Sequence, residues 1–213
     1  MTSSEDSNLW LADALWQLEA IEFGDYTLGR TAVGSPVYIN VRKLIAHPEA
    51  LARAVQIMHE EVLTLQRMRN PQMAPFDLVA GVPLGGLHIA TAYSLASKSP
   101  MIYIHPTRSG NVIEGLYQPG QTAMIIDDLI TGGGSVVETA DRLEAAGLIV
   151  KDAFVLVDRQ QGGRERLAGR GIRLHHVLTL EVILTYLMST GAISEEWYRR
   201  SLEYLEQSRG TTA

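Results

Sequence analysis

The sequence predicts an α/β fold with a parallel sheet at its centre, and three observations carry that prediction. Five short runs, 77–81, 101–104, 122–126, 153–157 and 172–177, are almost continuously apolar, as parallel strands covered on both faces are. Segments compatible with helices lie between most of them. The stretch Ala123-Met-Ile-Ile-Asp-Asp-Leu-Ile-Thr-Gly-Gly-Gly-Ser135 reads as a strand, two carboxylates, a glycine turn and a helix starting near Ser135. Open α/β sheets bind ligands at such joints.

Taken in order, residues 8–21 place Leu9, Leu11, Leu15, Leu18 and Ile21 at mostly helical spacing, which predicts an amphipathic helix. Ser35-Pro-Val-Tyr-Ile-Asn-Val41 predicts a short strand entered through Pro36. A long helix is expected from Pro48 to Arg69, with proline in its first turn and Asn70-Pro71 as its stop. The five strands follow, and Ser194-Glu-Glu opens a last helix running to about Gln207, beyond which the final residues are expected to be loose. No repeat, low-complexity tract or long linker divides the chain, so 1–213 reads as one domain.

Composition narrows the function. A net charge of −6 and a pI near 5.5 argue against nucleic acid as a partner, since that requires a basic face. The absence of cysteine removes disulfides, thiol nucleophiles and Cys-based zinc sites. The amino terminus is acidic and polar, without a signal-peptide pattern, and no apolar run approaches a membrane span. A cytoplasmic protein with no membrane partner is expected.

The chemistry concentrates at the strand–glycine–helix joint. Asp127 and Asp128, expected where the strand ends and facing outward, suit sugar hydroxyls or a metal. Thr131, Gly132, Gly133, Gly134 and Ser135 can turn backbone amides inward without Cβ clashes, and the helix behind them favours a phosphate. Together these describe a site for a phosphorylated sugar. No Gly-Lys-Ser/Thr follows, so this is not a Walker loop, and it is not a dinucleotide fingerprint. Gly81-Val-Pro-Leu-Gly-Gly86 can offer amides to a second phosphate, or be an ordinary turn. Arg159 in Asp158-Arg-Gln-Gln-Gly-Gly163 can fork onto a substrate carboxylate, or simply face solvent. His175 and His176 are strand neighbours on opposite faces and cannot clamp a metal together; His47, His59 and His88 form no metal motif.

These segments carry a resemblance. The joint at 123–135 resembles the phosphoribosyl-pyrophosphate signature of type I phosphoribosyltransferases. Phe23-Gly-Asp-Tyr-Thr-Leu28, Ser35-Pro-Val-Tyr-Ile-Asn-Val-Arg42, the joint itself and Asp158-Arg-Gln-Gln-Gly-Gly163 resemble orotate phosphoribosyltransferases in order and spacing, particularly the orotate domain of bifunctional uridine-monophosphate synthases. The likeness runs from about Leu15 to Leu187. It implies a type I phosphoribosyltransferase fold: a five-stranded parallel core at about 72–180, under a small hood from about 8–45 and 181–207. It also implies a homodimer that uses Mg²⁺, phosphoribosyl pyrophosphate and orotate to make orotidine 5′-monophosphate, in UMP biosynthesis. On that resemblance Asp127 and Asp128 hold the ribose hydroxyls and the metal, directly or through water. Thr131 to Ser135 wrap the 5′-phosphate; Val82, Pro83, Leu84 and Gly85 take pyrophosphate; Arg159 takes orotate, with Tyr38 near the ring.

The chain departs from the family at two places. A glycine, Gly29, stands where the family's Leu-Lys-Ser-Gly has its lysine, leaving Arg30 as a substitute. The mobile, lysine-bearing loop after the second core strand is replaced by the shorter Ile104-His-Pro-Thr-Arg-Ser-Gly-Asn111, and no lysine lies between Lys98 and Lys151. His105 and Arg108 are the cations remaining there. Three functions compete at this stage: an orotate phosphoribosyltransferase, slow for want of the lysine; a transferase acting on another base, against which Arg159 argues; and a sensor that binds phosphoribosyl pyrophosphate or a nucleotide without turnover.

Overall fold

The computed structural model describes residues 8–28, 32–106 and 112–210. Helix α1 (Leu9–Gln17) leads into a two-stranded antiparallel ribbon, β1 (Ile21–Leu28) and β2 (Ala32–Ile39), followed by a 3-10 helix, Val41–Ala46, and helix α2 (Pro48–Arg67). Next come β3 (Leu78–Gly81), α3 (Gly85–Ser97), β4 (Met101–Ile104), the two-residue β5 (Ile113–Glu114), β6 (Thr122–Ile130), α4 (Gly134–Ala145), β7 (Ile149–Asp158), α5 (Gly163–Ala168) and β8 (Arg173–Thr179). Two helices close the chain, α6 (Leu180–Ser189) and α7 (Glu195–Gly210).

The main sheet has the order β5-β4-β3-β6-β7-β8; β5 is antiparallel to β4 and the other pairs are parallel. The five predicted strands therefore form the parallel core, and β5 adds a short edge. Period-two burial explains the layering. Val79, Met124, Ile126, Phe154 and Leu156 point into one core with α1, α2, α3, α6 and α7. Their neighbours Leu78, Ala80, Ala123, Ile125 and Val155 point into the other, against Val136, Ala140 and Leu143 of α4 and Leu167 of α5.

Sequence reading placed a single strand at 35–41. The observed strand starts earlier and ends at Ile39, and it pairs with a second strand, β1. The ribbon's register shifts between Phe23 and Tyr26 and again between Tyr26 and Leu28; such irregularities break the alternation by which strands are recognised. Strand β6 continues past its predicted apolar run through Asp127 and Asp128 to Ile130, and β7 begins earlier, at Ile149, passes Asp152 and ends at Asp158.

This topology positions the site. After β3 the chain moves to β4 on one side of the sheet, then returns to lay β6 on the other, so the order reverses between β3 and β6. A crevice opens at the carboxyl ends of the strands at such a switch point. The loops after β3 and β6 flank it. Among the described residues no helix is long and apolar enough to cross a membrane.

Candidate active site

Asp127 and Asp128 do not follow the strand, as the sequence suggested; they lie within β6 and are buried, 7% and 9% exposed. The reason is register. Pairing with β3 ends at Gly81 opposite Ile126, whereas β7 keeps pairing as far as Asp158 opposite Ile130. The acids thus stand beyond the end of one neighbour while still held by the other. Asp127 Oδ1 accepts the Asp128 amide at 2.9 Å, and Asp128 Oδ1 accepts the Leu129 amide at 2.9 Å. Burial, and then the charge of Asp128, push the Asp127 carboxyl well above the usual range.

The loop after β3 closes against the acids. Val82 N donates to the Ile126 carbonyl at 3.0 Å, and Gly85 and Gly86 lie so close to Asp128 and Asp127 that neither tolerates a Cβ. The Pro83–Leu84 peptide is cis. After β6, Gly133 takes φ +75 as the N-cap of α4, a conformation open to glycine at little cost. The amides of the first turn of α4 have no intrahelical partners and face the same crevice.

The result is a cleft of about 1050 Å³ lined by Val82, Pro83 and Gly85 on one side, Asp127 to Val136 beneath, and Tyr38 and Arg159 near the accessory ribbon. Most of the residues proposed from sequence converge there. Leu84 does not: its side chain is 68% exposed and is absent from the lining, because the turn at Pro83 directs it to solvent. His105 is half-buried outside the cleft, and its amide donates to the Val112 carbonyl at 2.9 Å. Its neighbours Ile104 and Pro106 line a smaller recess of about 170 Å³ that shares Val82, Pro83 and Ser135 with the cleft. Arg30 and Arg108 lie outside the described residues.

Arg159 is not the solvent-facing arginine a loop position allows. It is 1% exposed. Its Nε donates to Gln161 Oε1 at 3.0 Å, and one Nη2 donates both to Ser35 Oγ at 3.0 Å and to the Val37 carbonyl at 3.2 Å. All these partners are neutral, and no carboxylate pairs with it among the described residues. Burial without a counter-ion lowers its pKa to about 10, partly offset by Tyr204, which leaves it protonated at neutral pH. The Nε–Nη2 edge is spent on the protein, so of this cleft-lining guanidinium only Nη1 is left for a ligand, not the full fork.

Two arginines were missed by sequence reading. Arg42 closes the Ser35–Arg42 segment, and Arg166 sits on α5, with Nη1 3.6 Å from where a Gly134 Cβ would stand; both line the cleft. The signal for Arg166 was its place one turn beyond Gly162-Gly163, a loop that must back the phosphate turn. His88, in the first turns of α3, is held below its usual pKa by burial, against the raising effect of Asp128, and its Nε2 is buried without a hydrogen-bond partner. Among the described residues, no group of three or more His, Cys, Asp or Glu is arranged to hold a metal.

No family model matches the chain. Individual proteins do. Uridine 5′-monophosphate synthase of Bos taurus is 36% identical over 202 residues, 93% of this chain and 40% of that protein. Orotate phosphoribosyltransferase of Cenarchaeum symbiosum is 34% identical over 188 residues, 85% of this chain and 90% of that protein. The solved structure of Leishmania donovani UMP synthase superposes with a TM-score of 0.83 at 32% identity, covering 96% of this chain and 43% of that one. The chain spans about two fifths of the two synthases and most of the Cenarchaeum symbiosum protein. With sequence and fold in agreement over nearly its whole length, the chain belongs to the orotate phosphoribosyltransferase family, of type I phosphoribosyltransferase fold.

Proposed function

We propose that this chain transfers the phosphoribosyl group of phosphoribosyl pyrophosphate to orotate, giving orotidine 5′-monophosphate and pyrophosphate in pyrimidine biosynthesis. The observation that carries the reading is Arg159, a buried cation with no counter-ion among the described residues, lining a cleft floored by two carboxylates and a glycine-rich phosphate turn. Such a charge is costly to bury alone, and an anionic base is the partner it lacks. Orotate, the base for which the family is named, supplies one.

In the reaction a bond forms between a ring nitrogen of orotate and the anomeric carbon, while the bond from that carbon to the pyrophosphate oxygen breaks. The nitrogen's proton passes to the departing pyrophosphate or to solvent. The ribose becomes cationic and the leaving group gains negative charge. Asp127 and Asp128 take the ribose hydroxyls and stabilise positive charge at the sugar. Thr131 to Ser135 hold the 5′-phosphate through first-turn amides of α4, and the Val82–Gly85 backbone holds pyrophosphate. Arg159 Nη1 fixes the orotate carboxylate, with Tyr38 beside the ring. Residues 8–45 and 181–207 serve as the hood.

The donors also fit Mg²⁺. Two adjacent buried carboxylates, one with its pKa raised, favour a divalent cation that draws its remaining ligands from substrate oxygens and water. When bound, Mg²⁺ supplies positive charge to the leaving group. A homodimer is part of the same reading.

The test is loss of orotate absorbance in the presence of phosphoribosyl pyrophosphate and Mg²⁺. Arg159→Ala is expected to raise the orotate KM by about ten- to a hundredfold, the worth of a charge-assisted contact, with a much smaller effect on the other substrate. A wild-type protein that consumes no orotate, or prefers uracil or a purine, overturns the assignment.

A further inference from the structure

Arg159 is held by groups from two distant parts of the chain. On one side Ser35, fully buried in β2, accepts from Nη2 and donates its own proton to the Val37 carbonyl at 2.7 Å. On the other, a relay runs into the last helix. Arg159 Nε donates to Gln161 Oε1 at 3.0 Å, Gln161 Nε2 donates to Ser208 Oγ at 3.2 Å, and Ser208 Oγ donates to the Tyr204 carbonyl at 2.8 Å. The polarity is fixed at both ends, because a guanidinium can only donate and a carbonyl can only accept. A side chain that accepts at one end and donates at the other is therefore required between them. Glutamine meets that need; glutamate and leucine do not.

The backbone is tied down around the relay. Gln160, between the two partners, has φ +59, and its side chain is bonded to α6: Nε2 to Glu181 Oε2 at 3.4 Å, and Oε1 from the Glu181 amide at 3.3 Å. Helix α7 is seated on the ribbon that carries Ser35, through the Phe23–Trp197 ring contact at 5.5 Å and the Arg200–Asp25 ion pair. Both clamps on the guanidinium are thus fixed to one another.

The geometry points to helix α7 as a part of the base site: Ser208 and Gln161 are positioning residues that hold Arg159 with Nη1 in the cleft. This inference rests on the assignment of Arg159 to the orotate carboxylate. Keeping Gln161 neutral is as important as its reach. A carboxylate here would satisfy Nε equally well but neutralise the charge meant for the substrate.

The test combines kinetics with melting of the full chain. Gln161→Glu is expected to leave the melting temperature unchanged or raised while the orotate KM rises at least about tenfold and the phosphoribosyl-pyrophosphate KM stays within about twofold. A merely structural role gives opposite behaviour, with stability and both constants suffering together. Ser208→Ala should raise the orotate KM severalfold in the wild-type background and add nothing to Gln161→Leu, since both break one relay. Parallel changes in both constants, or independent additive effects, overturn the proposal. Should the wild type consume no orotate, the functional assignment fails, and the relay is judged separately by NMR. Its Arg159 Nε–H signal should exchange slowly and should broaden or shift in Gln161→Leu; an unaltered signal refutes it.

Discussion

A Cβ placed on Gly85 would stand 2.5 Å from Asp128 Oδ1. The loop after β3 and the acid on β6 are therefore fitted to one another, and no real carbon–oxygen contact is that short. Gly85→Ala must move either the loop or the carboxylate, both of which line the cleft. Overpacking of this kind costs about 1–3 kcal/mol. The expected outcome is a modest loss of stability with a larger loss of turnover, since a misplacement of about 1 Å at a reacting centre costs roughly a hundredfold. Melting and steady-state kinetics on the same preparation check it; unchanged turnover would show that Asp128 has room to spare.

Asp127 illustrates the opposing demands of stability and function. Its folded pKa is raised above the unfolded value by burial and by Asp128, so ionising it destabilises the ligand-free fold as pH rises through the folded pKa. Asp127→Asn removes that charge and keeps an oxygen to accept the Asp128 amide. The ligand-free variant should melt higher than wild type at pH 7, with the difference shrinking at acid pH. The rise in melting temperature on adding phosphoribosyl pyrophosphate with Mg²⁺ should shrink as well. For wild type that gain is about 2.7 kcal/mol at a hundredfold excess over Kd. A variant that melts lower than wild type and still responds fully to ligand would contradict both halves.

At the opposite end of β7, Asp152 binds Arg173 through both oxygens at 2.9 Å, His175 Nε2 at 2.8 Å and the Ala74 amide at 3.0 Å. Burial pushes its carboxyl up, but the bonds from His175, Arg173 and Ala74 outweigh it and leave the pKa below its usual value. The sign follows for an acid with a depressed folded pKa. Its stabilisation is complete above the unfolded value of about 3.9 and is lost as pH falls below that toward the folded value. Asp152→Asn should cost about 1–3 kcal/mol at neutral pH and flatten the acid limb of the stability curve, with kcat unaffected because the cluster is remote from the cleft. An unchanged acid limb would assign that limb to other carboxylates.

The fold was legible where sequence periodicity and burial agree. Met124 and Ile126 face one core while Ala123 and Ile125 face the other, and a continuous apolar run records that directly. The β1–β2 ribbon was not legible as a pair, because its register slips twice. In the site, the paired acids and glycine turn announced themselves by residue type and spacing. Their depth inside β6 did not, since it depends on where β3 stops. The surroundings of Arg159 could not be read either: Ser35 and Ser208 are 124 and 47 residues from their partners in sequence, and serine carries no local signal of such a role.

The stretch after β4 yields the last prediction. In the proposed reaction pyrophosphate leaves with more negative charge than one Mg²⁺ neutralises, and no lysine lies between Lys98 and Lys151 to offset it. Among the described residues, the cleft is lined by Arg42, Arg159 and Arg166. Arg166 stands by the phosphate turn and the role proposed for Arg159 is at the base, whereas Arg42 acts on His88 in the first turns of α3 and is the described cation nearest the Val82–Gly85 side. His105 opens the segment, and its amide donates a hydrogen bond to the Val112 carbonyl, which draws the two ends together. Arg108 falls between them in sequence, outside the described residues, and carries a permanent charge. Removing one such donor typically costs about 10²–10³ in turnover. The wild type is expected to be active but slow, with a rate that depends on Mg²⁺ concentration. Arg108→Ala should lower kcat at least about tenfold with little effect on binding of phosphoribosyl pyrophosphate, the signature of a contact made in the transition state alone. Calorimetry with that ligand, beside single-turnover kinetics, separates the two quantities. If Arg108→Ala turns over like wild type, the compensating cation is elsewhere, and Arg30, at the family's other lysine segment, is the residue to replace next.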